Sequence, residues 1–254
     1  MLTQERFSII LDLLHKEKSV SAAQLIEATN SSPSTIRRDL SELEKLGRLR
    51  RVHGGAILKD SEFSNLEDKV ENRREHNAPQ KQSIGKKAAA LIAPGDFVYV
   101  DAGTTTEYLI DAVECPDVHF VTNAISHAKK LSERGYPVSL VAGDFKNVTE
   151  AIVGEAAVES VGRYNFTKGF FGTNGISEKG ILNTPDSKEA AIKRAAMNQC
   201  EACYILADPS KFTIQTSVNF ASLKGNTLIT CQPAEMDSIP AGCEILYVPY
   251  KGKS

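Results

Sequence analysis

The sequence lacks three features that would place the protein outside the cytoplasm. No apolar run approaches the roughly 20 residues that a helix needs to span a bilayer. Residues 1–6 open an amphipathic pattern and contain no apolar signal region. The five cysteines are an odd number without the spacing of a disulfide framework, which favours reduced thiols. We therefore expect a cytoplasmic protein that does not contact a membrane.

The sequence also lacks a complete metal-binding or redox motif. Cys200 and Cys203 have the spacing of half a zinc or redox site. No second cysteine pair or histidine cluster completes that site. We interpret the two cysteines as small packed thiols at one end of a helix, and we expect neither a metal nor a cofactor.

The sequence also has no large overall charge, because its net charge is only −2. A DNA-binding protein needs to be basic only where it touches DNA. Between residues 34 and 59, seven basic and three acidic residues leave a local excess of four positive charges. This local excess identifies the N-terminal region as a candidate nucleic-acid-binding segment.

Three helices are predicted before residue 47. Residues 4–16 carry apolar side chains at helical spacing. Ser21 is a good N-cap for a second, short helix. Ser32 and Pro33 supply the cap and the first residue of a third helix, which Gly47 is expected to end. A short helix, a tight turn and a longer helix form the helix-turn-helix arrangement.

The third helix has one apolar side and one polar side. Ile36, Leu40 and Leu43 cluster on the apolar side, whereas the polar residues fall between roughly 100° and 200° from Ile36 on a helical wheel. Arginine can bind guanine edges bidentately, and serine or lysine can hold phosphates. An ordinary solvated face would show the same pattern. The DNA-binding residues predicted on this helix are Ser32, Ser34, Thr35, Arg37, Arg38, Ser41 and Lys45.

Residues 48–58 resemble the wing of a winged helix. Two β-prone runs flank Gly54 and Gly55, a pair that permits the positive φ of a hairpin turn. A hairpin of this kind can press its basic residues, namely Arg50, Arg51 and His53, on the phosphate backbone. Asp39 does not fit DNA contact, and we expect it to form an ion pair or hydrogen bond that positions an arginine or the wing.

These pieces resemble the DeoR family of bacterial regulators. The resemblance rests on residues 34–40 (STIRRDL), 43–47 (LEKLG) and 51–56 (RVHGGA), which are ordered and correctly spaced. It implies that the helix with Arg37 and Arg38 enters the major groove. We therefore predict a winged helix-turn-helix domain over residues 1–58, followed by a polar, partly helical linker over residues 59–78.

Residues 79–254 show alternating strands and helices, a pattern that predicts a largely parallel α/β sheet. The predicted strands cover residues 97–100, 120–122, 138–141, 169–171, 203–206, 226–230 and 244–248. The predicted helices after the first strand cover residues 105–112, 126–134, 150–161 and 187–200.

Ligands of such sheets bind beyond the carboxyl ends of the strands. Gly103 and the following threonines could cradle an anion at a helix N-terminus, although capping and turn formation would also explain them. Lys188 and Lys211 are the candidates to balance a phosphate charge. The predicted effector-binding residues are Asp101, Gly103, Thr104, Thr105, Thr122, Asn123, Gly143, Gly172, Asn174, Gly175, Lys188, Asp208, Ser210 and Lys211.

This segment resembles the DeoR-type sensor domain, whose fold is similar to that of ribose-5-phosphate isomerase. The matching pieces are residues 101–105, Thr122 and Asn123, Gly143, and residues 208–212; Ala142 stands where the family often has a second glycine. The resemblance implies a phosphorylated sugar as effector. Residues 149–154 and 164–175 look most like fructose-operon repressors, which implies fructose 1-phosphate.

The resulting prediction is a homo-oligomeric, dimeric or tetrameric repressor that binds double-stranded operator DNA and is released by a sugar phosphate. Tagatose 6-phosphate is an alternative effector, and an activator is an alternative regulator. A sugar-phosphate isomerase is a further alternative, but it needs a positioned general base. No paired acid and base is recognisable, so we expect no catalytic residues and no enzyme activity.

Overall fold

The computed structural model describes residues 3–17, 19–45, 48–52, 54–57, 70–212, 214–231 and 242–249. The chain divides into two compact units, residues 1–66 and 67–254. His53, Gly47 and most of the predicted linker lie outside the described residues. None of the helices in the described part of the chain is both long and apolar enough to cross a bilayer.

The first unit combines three helices with a small antiparallel sheet. Its elements are α1 (Thr3–Glu17), β1 (Ser19–Ser21), α2 (Ala22–Thr29), α3 (Pro33–Lys45), β2 (Arg50–Val52) and β3 (Gly55–Ile57). The strand order is β1-β3-β2, so β2 lies at an edge. Ile10 of α1, Leu25 of α2 and Ile36 of α3 meet in one fully buried core. The apolar residues of the three helices therefore pack together, as a helix-turn-helix requires.

Local signals explain where these helices begin. Ser21 accepts a hydrogen bond from Gln24 N, and the Gln24 side chain accepts one from Ser21 N, which completes a capping box. Ser32 Oγ accepts from Thr35 N at 3.2 Å at the start of α3. Both caps were predicted from serine placement alone.

The two wing glycines have different roles. Gly54 has a φ of +86° and lies in the turn between β2 and β3, as predicted. Gly55 is not a turn residue but the first residue of β3. A Cβ at position 55 would collide with the backbone carbonyl of Val20 in β1. The second glycine is therefore explained by close strand packing, which the sequence pattern did not reveal.

The second unit is built on a seven-stranded sheet. Its strands are β4 (Phe97–Val100), β5 (His119–Thr122), β6 (Val138–Leu140), β9 (Phe166–Gly172), β12 (Cys200–Leu206), β14 (Thr227–Cys231) and β15 (Glu244–Val248). Their order is β15-β14-β12-β9-β4-β5-β6, and each neighbouring pair is parallel. All seven predicted strands are present, and the predicted parallel sheet is confirmed.

Helices cover both faces of this sheet, which explains why its strands are continuous apolar runs. The helices are α4 (Val70–Glu75), α5 (Ala78–Ala89), α6 (Thr104–Ala112), α7 (Ile125–Glu133), α8 (Glu155–Val161) and α9 (Ser187–Met197). Val98 and Phe170 point into the core beneath α5 and α6, whereas Tyr99 and Phe171 point into the core beneath α8 and α9. Successive residues of one strand therefore serve opposite cores.

Five further strands of the second unit were not predicted. They are β7 (Asp144–Lys146), β8 (Ala151–Val153), β10 (Gly175–Ile176), β11 (Ile181–Thr184) and β13 (Val218–Ser222). The first two pair with each other, and the last three form a separate antiparallel sheet. Strands of two to five residues carry too few alternating positions to stand out in a sequence.

Two predicted helices are wrong at one end. The helix predicted over residues 150–161 begins only at Glu155, because residues 151–153 form β8. The helix predicted over residues 187–200 ends at Met197, and Cys200 opens β12. Cys200 and Cys203 therefore lie on a strand, not at a helix end. Their thiols donate to the carbonyls of Ala196 and Met197, so they pack against the end of α9.

Candidate DNA-binding surface and effector site

The polar side of α3 is exposed, as its pattern predicts. Ser32, Ser34, Arg37, Arg38 and Lys45 are all exposed, whereas Ile36, Leu40 and Leu43 are buried beneath them. None of the described residues bonds to the Arg37 or Arg38 side chain, so both guanidinium groups remain available to an external anion.

Asp39 is buried on α3 and pairs with Arg6 of α1. The Arg6 Nε to Asp39 Oδ2 distance is 2.6 Å, and Arg6 Nη2 lies 3.1 Å from Asp39 Oδ1. The hydrogen bond to Asp39 raises the pKa of Arg6. The expected ion pair between Asp39 and an arginine is therefore present: the partner is Arg6, and the bidentate contact anchors α3 to α1.

The wing bonds directly to α3. Arg51 N donates to Glu44 Oε1 at 2.9 Å, and Arg51 Nη1 donates to Ser41 Oγ at 2.6 Å. Arg50 is exposed beside them. Arg51 and Ser41, which were both predicted to touch DNA, are thus joined to each other, and Glu44 was not singled out at all.

In the second unit, the loop after β4 begins with a buried ion pair. Asp101 Oδ2 pairs with Lys193 Nζ of α9 and accepts from Gly172 N at 3.1 Å. Lys193 Nζ also donates to Gly172 O at 3.1 Å. Burial raises the pKa of Asp101, and the Lys193 ammonium only partly opposes this. Asp101 and Gly172 are therefore brought together, as predicted. Both also bond to Lys193, which was not predicted.

The same loop continues into the N-terminus of α6. Thr104 Oγ1 accepts from Lys81 Nζ of α5 at 3.0 Å, and Lys81 also donates to Arg73 O. Lys81 is almost fully buried, and burial lowers its pKa to about 8. A lysine one turn before Ile84, on the buried side of its helix, was the signal in the sequence that could have identified it.

Asp208 lies two residues after the end of β12 and interacts electrostatically with Lys81. Its Oδ1 accepts from Asn77 Nδ2 at 2.8 Å and from Ser210 Oγ at 2.6 Å. Its Oδ2 is buried and has no hydrogen-bond partner among the described residues. Burial raises the pKa of Asp208, but Lys211 and its other polar neighbours lower it by more. The pKa therefore lies below its usual value, and the carboxylate stays ionised.

Cationic groups surround this carboxylate. Lys211 and Lys81 both stabilise the charge of Asp208, and Lys211 and Arg73 in turn disfavour the charged form of Lys81. Arg73 Nε is buried and also lacks a partner among the described residues. The described residues therefore hold an unused acceptor and an unused donor, on two side chains that both interact electrostatically with Lys81.

Other predicted residues support the loop from beneath. Asn123 Oδ1 accepts from Ala102 N at 2.8 Å, and Asn123 Nδ2 donates to Ile152 O at 3.2 Å. Thr122 is fully buried and donates to Val100 O, so its hydroxyl serves the sheet. Neutral His127, which no pattern in the sequence indicated, hydrogen-bonds with the Gly103 backbone, and burial lowers its pKa to about 4.

Four predicted residues are not part of this cluster of contacts. Lys188 is exposed and pairs with exposed Asp144 at 3.9 Å. A Cβ at Gly143 would meet Val153 O at 2.6 Å, and one at Gly175 would meet the Ile214 carbonyl, so both glycines serve close backbone packing. Asn174 N donates to Asn183 O at 3.1 Å, which belongs to the same local packing.

A second polar cluster lies on α9, one turn before Lys193. Glu189 is buried, and its Oε1 accepts from Thr149 Oγ1 at 2.6 Å and from Lys146 Nζ at 3.2 Å. Lys146 Nζ also lies 2.7 Å from Asp186 Oδ2. Because its members already bond to one another, we interpret this cluster as the connection between α9 and the β7–β8 hairpin.

The donors at the strand ends suit an anion that also carries hydroxyl groups. Amides at a helix N-terminus and nearby ammonium groups stabilise phosphate, and a carboxylate can accept from a sugar hydroxyl. Within the described residues, no group of three or more His, Cys, Asp or Glu side chains could hold a metal ion.

Two family descriptions match this chain. "DeoR-like helix-turn-helix domain" matches residues 6–62, and "DeoR C terminal sensor domain" matches residues 76–231. A regulator of Bacillus subtilis, named "Uncharacterized HTH-type transcriptional regulator FruR", is 41% identical over 93% of this chain and 94% of its own length. The "Lactose phosphotransferase system repressor" of Staphylococcus aureus is 32% identical over 90% of this chain and 92% of its own length.

Solved structures are more distantly similar. A ribose 5-phosphate isomerase A of Methanocaldococcus jannaschii is 14% identical, with a TM-score of 0.39. The match covers 54% of this chain and 55% of the isomerase. A likeness at this level carries no argument about activity.

Proposed function

The chain belongs to the DeoR family of transcriptional regulators, and from this premise we propose that it represses a sugar-utilisation operon and is released from DNA by a phosphorylated sugar. In this proposal the polar side of α3 binds bases and phosphates, and the wing contacts the phosphate backbone. The effector binds at the loop formed by residues 101–106, in the second unit.

One observation carries the effector half of the proposal. Asp208 Oδ2 and Arg73 Nε are buried without partners among the described residues, and both side chains interact electrostatically with Lys81, which donates to Thr104 at the N-terminus of α6. A buried polar atom without a partner is costly, so a ligand that supplies the missing bonds would bind there favourably. The phosphate would lie against the α6 amides and the cations, and a sugar hydroxyl would donate to Asp208 Oδ2.

We propose fructose 1-phosphate as the effector. The relative named FruR, 41% identical over most of both chains, supports a fructose-related role. A relative named as a lactose phosphotransferase system repressor, 32% identical, favours a different sugar phosphate as the second candidate. Tagatose 6-phosphate is the alternative that we would test first.

The contacts of residues 70–81 offer a route from effector to DNA. This segment includes the end of the predicted linker, and it touches the effector site twice: Lys81 donates to Arg73 O, and Asn77 donates to Asp208 Oδ1. An effector that binds Lys81 and Asp208 would compete with these two contacts and so weaken the attachment of α4. Effector and operator would then favour different arrangements of the segment, which is the condition for a population shift.

The coupling required is modest. A hundredfold loss of operator affinity corresponds to about 2.7 kcal/mol. One charge-assisted hydrogen bond contributes roughly 1.5–3 kcal/mol, so replacing the two contacts would supply that amount. A symmetric dimer or tetramer would bind repeated half-sites, and each protomer would contribute one α3 helix.

The proposal is tested with duplex DNA and defined sugar phosphates. The full chain selects ligands from a library of random double-stranded DNA, and the selected duplex is then titrated with fructose 1-phosphate, fructose 6-phosphate and tagatose 6-phosphate. We expect sequence-specific binding and release by one sugar phosphate at much lower concentration than by the others. Failure to enrich any duplex would contradict the regulator function, and release by none of the three would contradict the effector assignment.

The same sugar phosphates test the enzyme alternative. Asp101, the most obvious base of the loop, is buried in an ion pair with Lys193. We therefore propose that the site binds without turnover. Conversion of any of these sugar phosphates by the purified chain would contradict that proposal.

A further inference from the structure

The wing is attached to α3 by a carboxylate on a surface where a carboxylate opposes DNA binding. Glu44 is exposed on α3, the helix that also carries Arg37 and Arg38, and a negative charge there repels phosphates. Its Oε1 accepts from Arg51 N at 2.9 Å. β2 is the edge strand of its sheet, so this backbone amide has no strand partner on that side.

The side chain of Arg51 makes a second connection between the same two elements. Arg51 Nη1 donates to Ser41 Oγ at 2.6 Å, and Ser41 Oγ donates to Arg37 O at 2.9 Å. Ser41 and Glu44 are three residues apart on α3, so they lie on one face of the helix. A backbone bond and a side-chain bond therefore fix the middle of β2 to that face.

We infer that Glu44 is a positioning residue for DNA binding, which holds the wing in place relative to α3 through its bond to Arg51 N. The inference rests on the proposed DNA-binding function and assigns Glu44 a role within it. Edge strands of three residues have few bonds of their own, so a bond to a neighbouring helix contributes a large share of their order. The stabilisation of the wing by this hydrogen bond outweighs the repulsion between the charge of Glu44 and the DNA phosphates.

The experiment compares three variants on the selected duplex and on random duplex DNA. Glu44→Ala removes the acceptor, Glu44→Gln keeps an oxygen acceptor without the charge, and Glu42→Ala removes an exposed carboxylate that bonds to none of the described residues. If charge alone mattered, all three variants would bind DNA more tightly. If positioning dominates, Glu44→Ala binds the selected duplex about fivefold more weakly, whereas Glu44→Gln stays within twofold of the unaltered chain.

A salt titration separates positioning from direct contact. Loss of a phosphate contact lowers the slope of log K against log salt by about 0.9. We expect Glu44→Ala to leave the slope unchanged and Arg50→Ala to reduce it. Far-UV circular dichroism checks that each variant is folded. If Glu44→Ala is not folded, the comparison of Glu44→Gln with the unaltered chain decides the question.

Two results would overturn the inference: Glu44→Ala binding as tightly as the unaltered chain or more tightly, or Glu44→Gln binding as weakly as Glu44→Ala. Enrichment of a duplex by the unaltered chain separates these results from a failure of the proposed function. If that chain enriches no duplex, the DNA-binding function itself is wrong.

Discussion

Arg37 and Arg38 on α3 are exposed and unpaired among the described residues, whereas several charged side chains at the candidate effector site of the second unit are buried and hydrogen-bonded. Asp101 with Lys193, and Lys81 with Thr104, show the second arrangement. A surface that binds DNA does not have to enclose its ligand, because the DNA phosphates are already regularly spaced. A site for one small molecule has to exclude water, and its charges must balance when the ligand is absent.

The difference also separates stability from binding. Removing an exposed arginine leaves no unsatisfied group, so its effect is confined to DNA affinity. Removing one partner of a buried pair leaves an uncompensated charge and destabilises the fold. Substitutions should therefore change stability in the second unit and DNA affinity on α3.

Lys193→Met should destabilise the second unit by about 3–5 kcal/mol at pH 7, because Asp101 is left buried and unpaired. The raised pKa of Asp101 means that the folded state binds a proton more readily than the unfolded state. The destabilisation should therefore shrink as the pH falls from 7 to 5. Urea unfolding at both pH values measures the effect.

The double variant Asp101→Asn/Lys193→Met is the control for this prediction. It removes both charges, and we expect it to recover most of the lost stability. A loss that is independent of pH, together with no recovery in the double variant, would show that Lys193 stabilises the fold by packing instead of charge.

Arg37→Ala and Arg38→Ala should each weaken binding to the selected duplex by about 1–3 kcal/mol, with little change in stability. If these residues contact bases, binding to random duplex DNA should weaken much less. Lys129→Ala, which removes an exposed lysine from α7 in the second unit, is the matched control. An equal loss on selected and random DNA would mean that both arginines touch phosphates alone.

Lys211→Ala should leave DNA binding intact and raise the effector concentration needed for release by about tenfold or more, because a charged partner of the phosphate is lost. Lys188→Ala should change neither, since Lys188 is exposed and pairs with Asp144. Titrating the release of the selected duplex measures both variants. The reverse result would restore Lys188 as the phosphate partner that the sequence also allowed.

Effector affinity should fall about tenfold between pH 7 and pH 9. Burial lowers the pKa of Lys81 to about 8, so most of this lysine loses its positive charge over that interval. A bound phosphate raises the pKa again, and binding therefore weakens as the free protein deprotonates. Calorimetric titration at several pH values measures the slope, and Lys81→Arg should flatten it. A slope that persists in Lys81→Arg would assign the titration to another group.

The fold was predictable where local patterns were long or strong. Seven apolar runs gave seven parallel strands, since strands buried on both faces are apolar throughout. The caps at Ser21 and Ser32 follow from short-range chemistry. Residues 151–153 were assigned to a helix because a three-residue strand offers no periodicity that can compete with its helical neighbours.

The candidate site was predictable in its loops but not in its charge partners. Asp101, Thr104 and Asp208 follow directly from their position at strand ends. Their lysine partners come from helices, 23 residues before Thr104 for Lys81 and 92 after Asp101 for Lys193. No local pattern links positions so far apart in the chain.

By itself, the sequence determined the seven strands of the parallel sheet, the edge at which polar loops gather, and the family. Hydrophobic periodicity and capping act over a few residues, so they can be read from the chain alone. Only the tertiary structure decided that Asp39 pairs with Arg6, that Glu44 holds the wing, and that Lys81 and Lys193 rather than Lys188 pair with the buried loop. Burial gives these ion pairs and hydrogen bonds their strength, and burial exists only once distant segments have packed together.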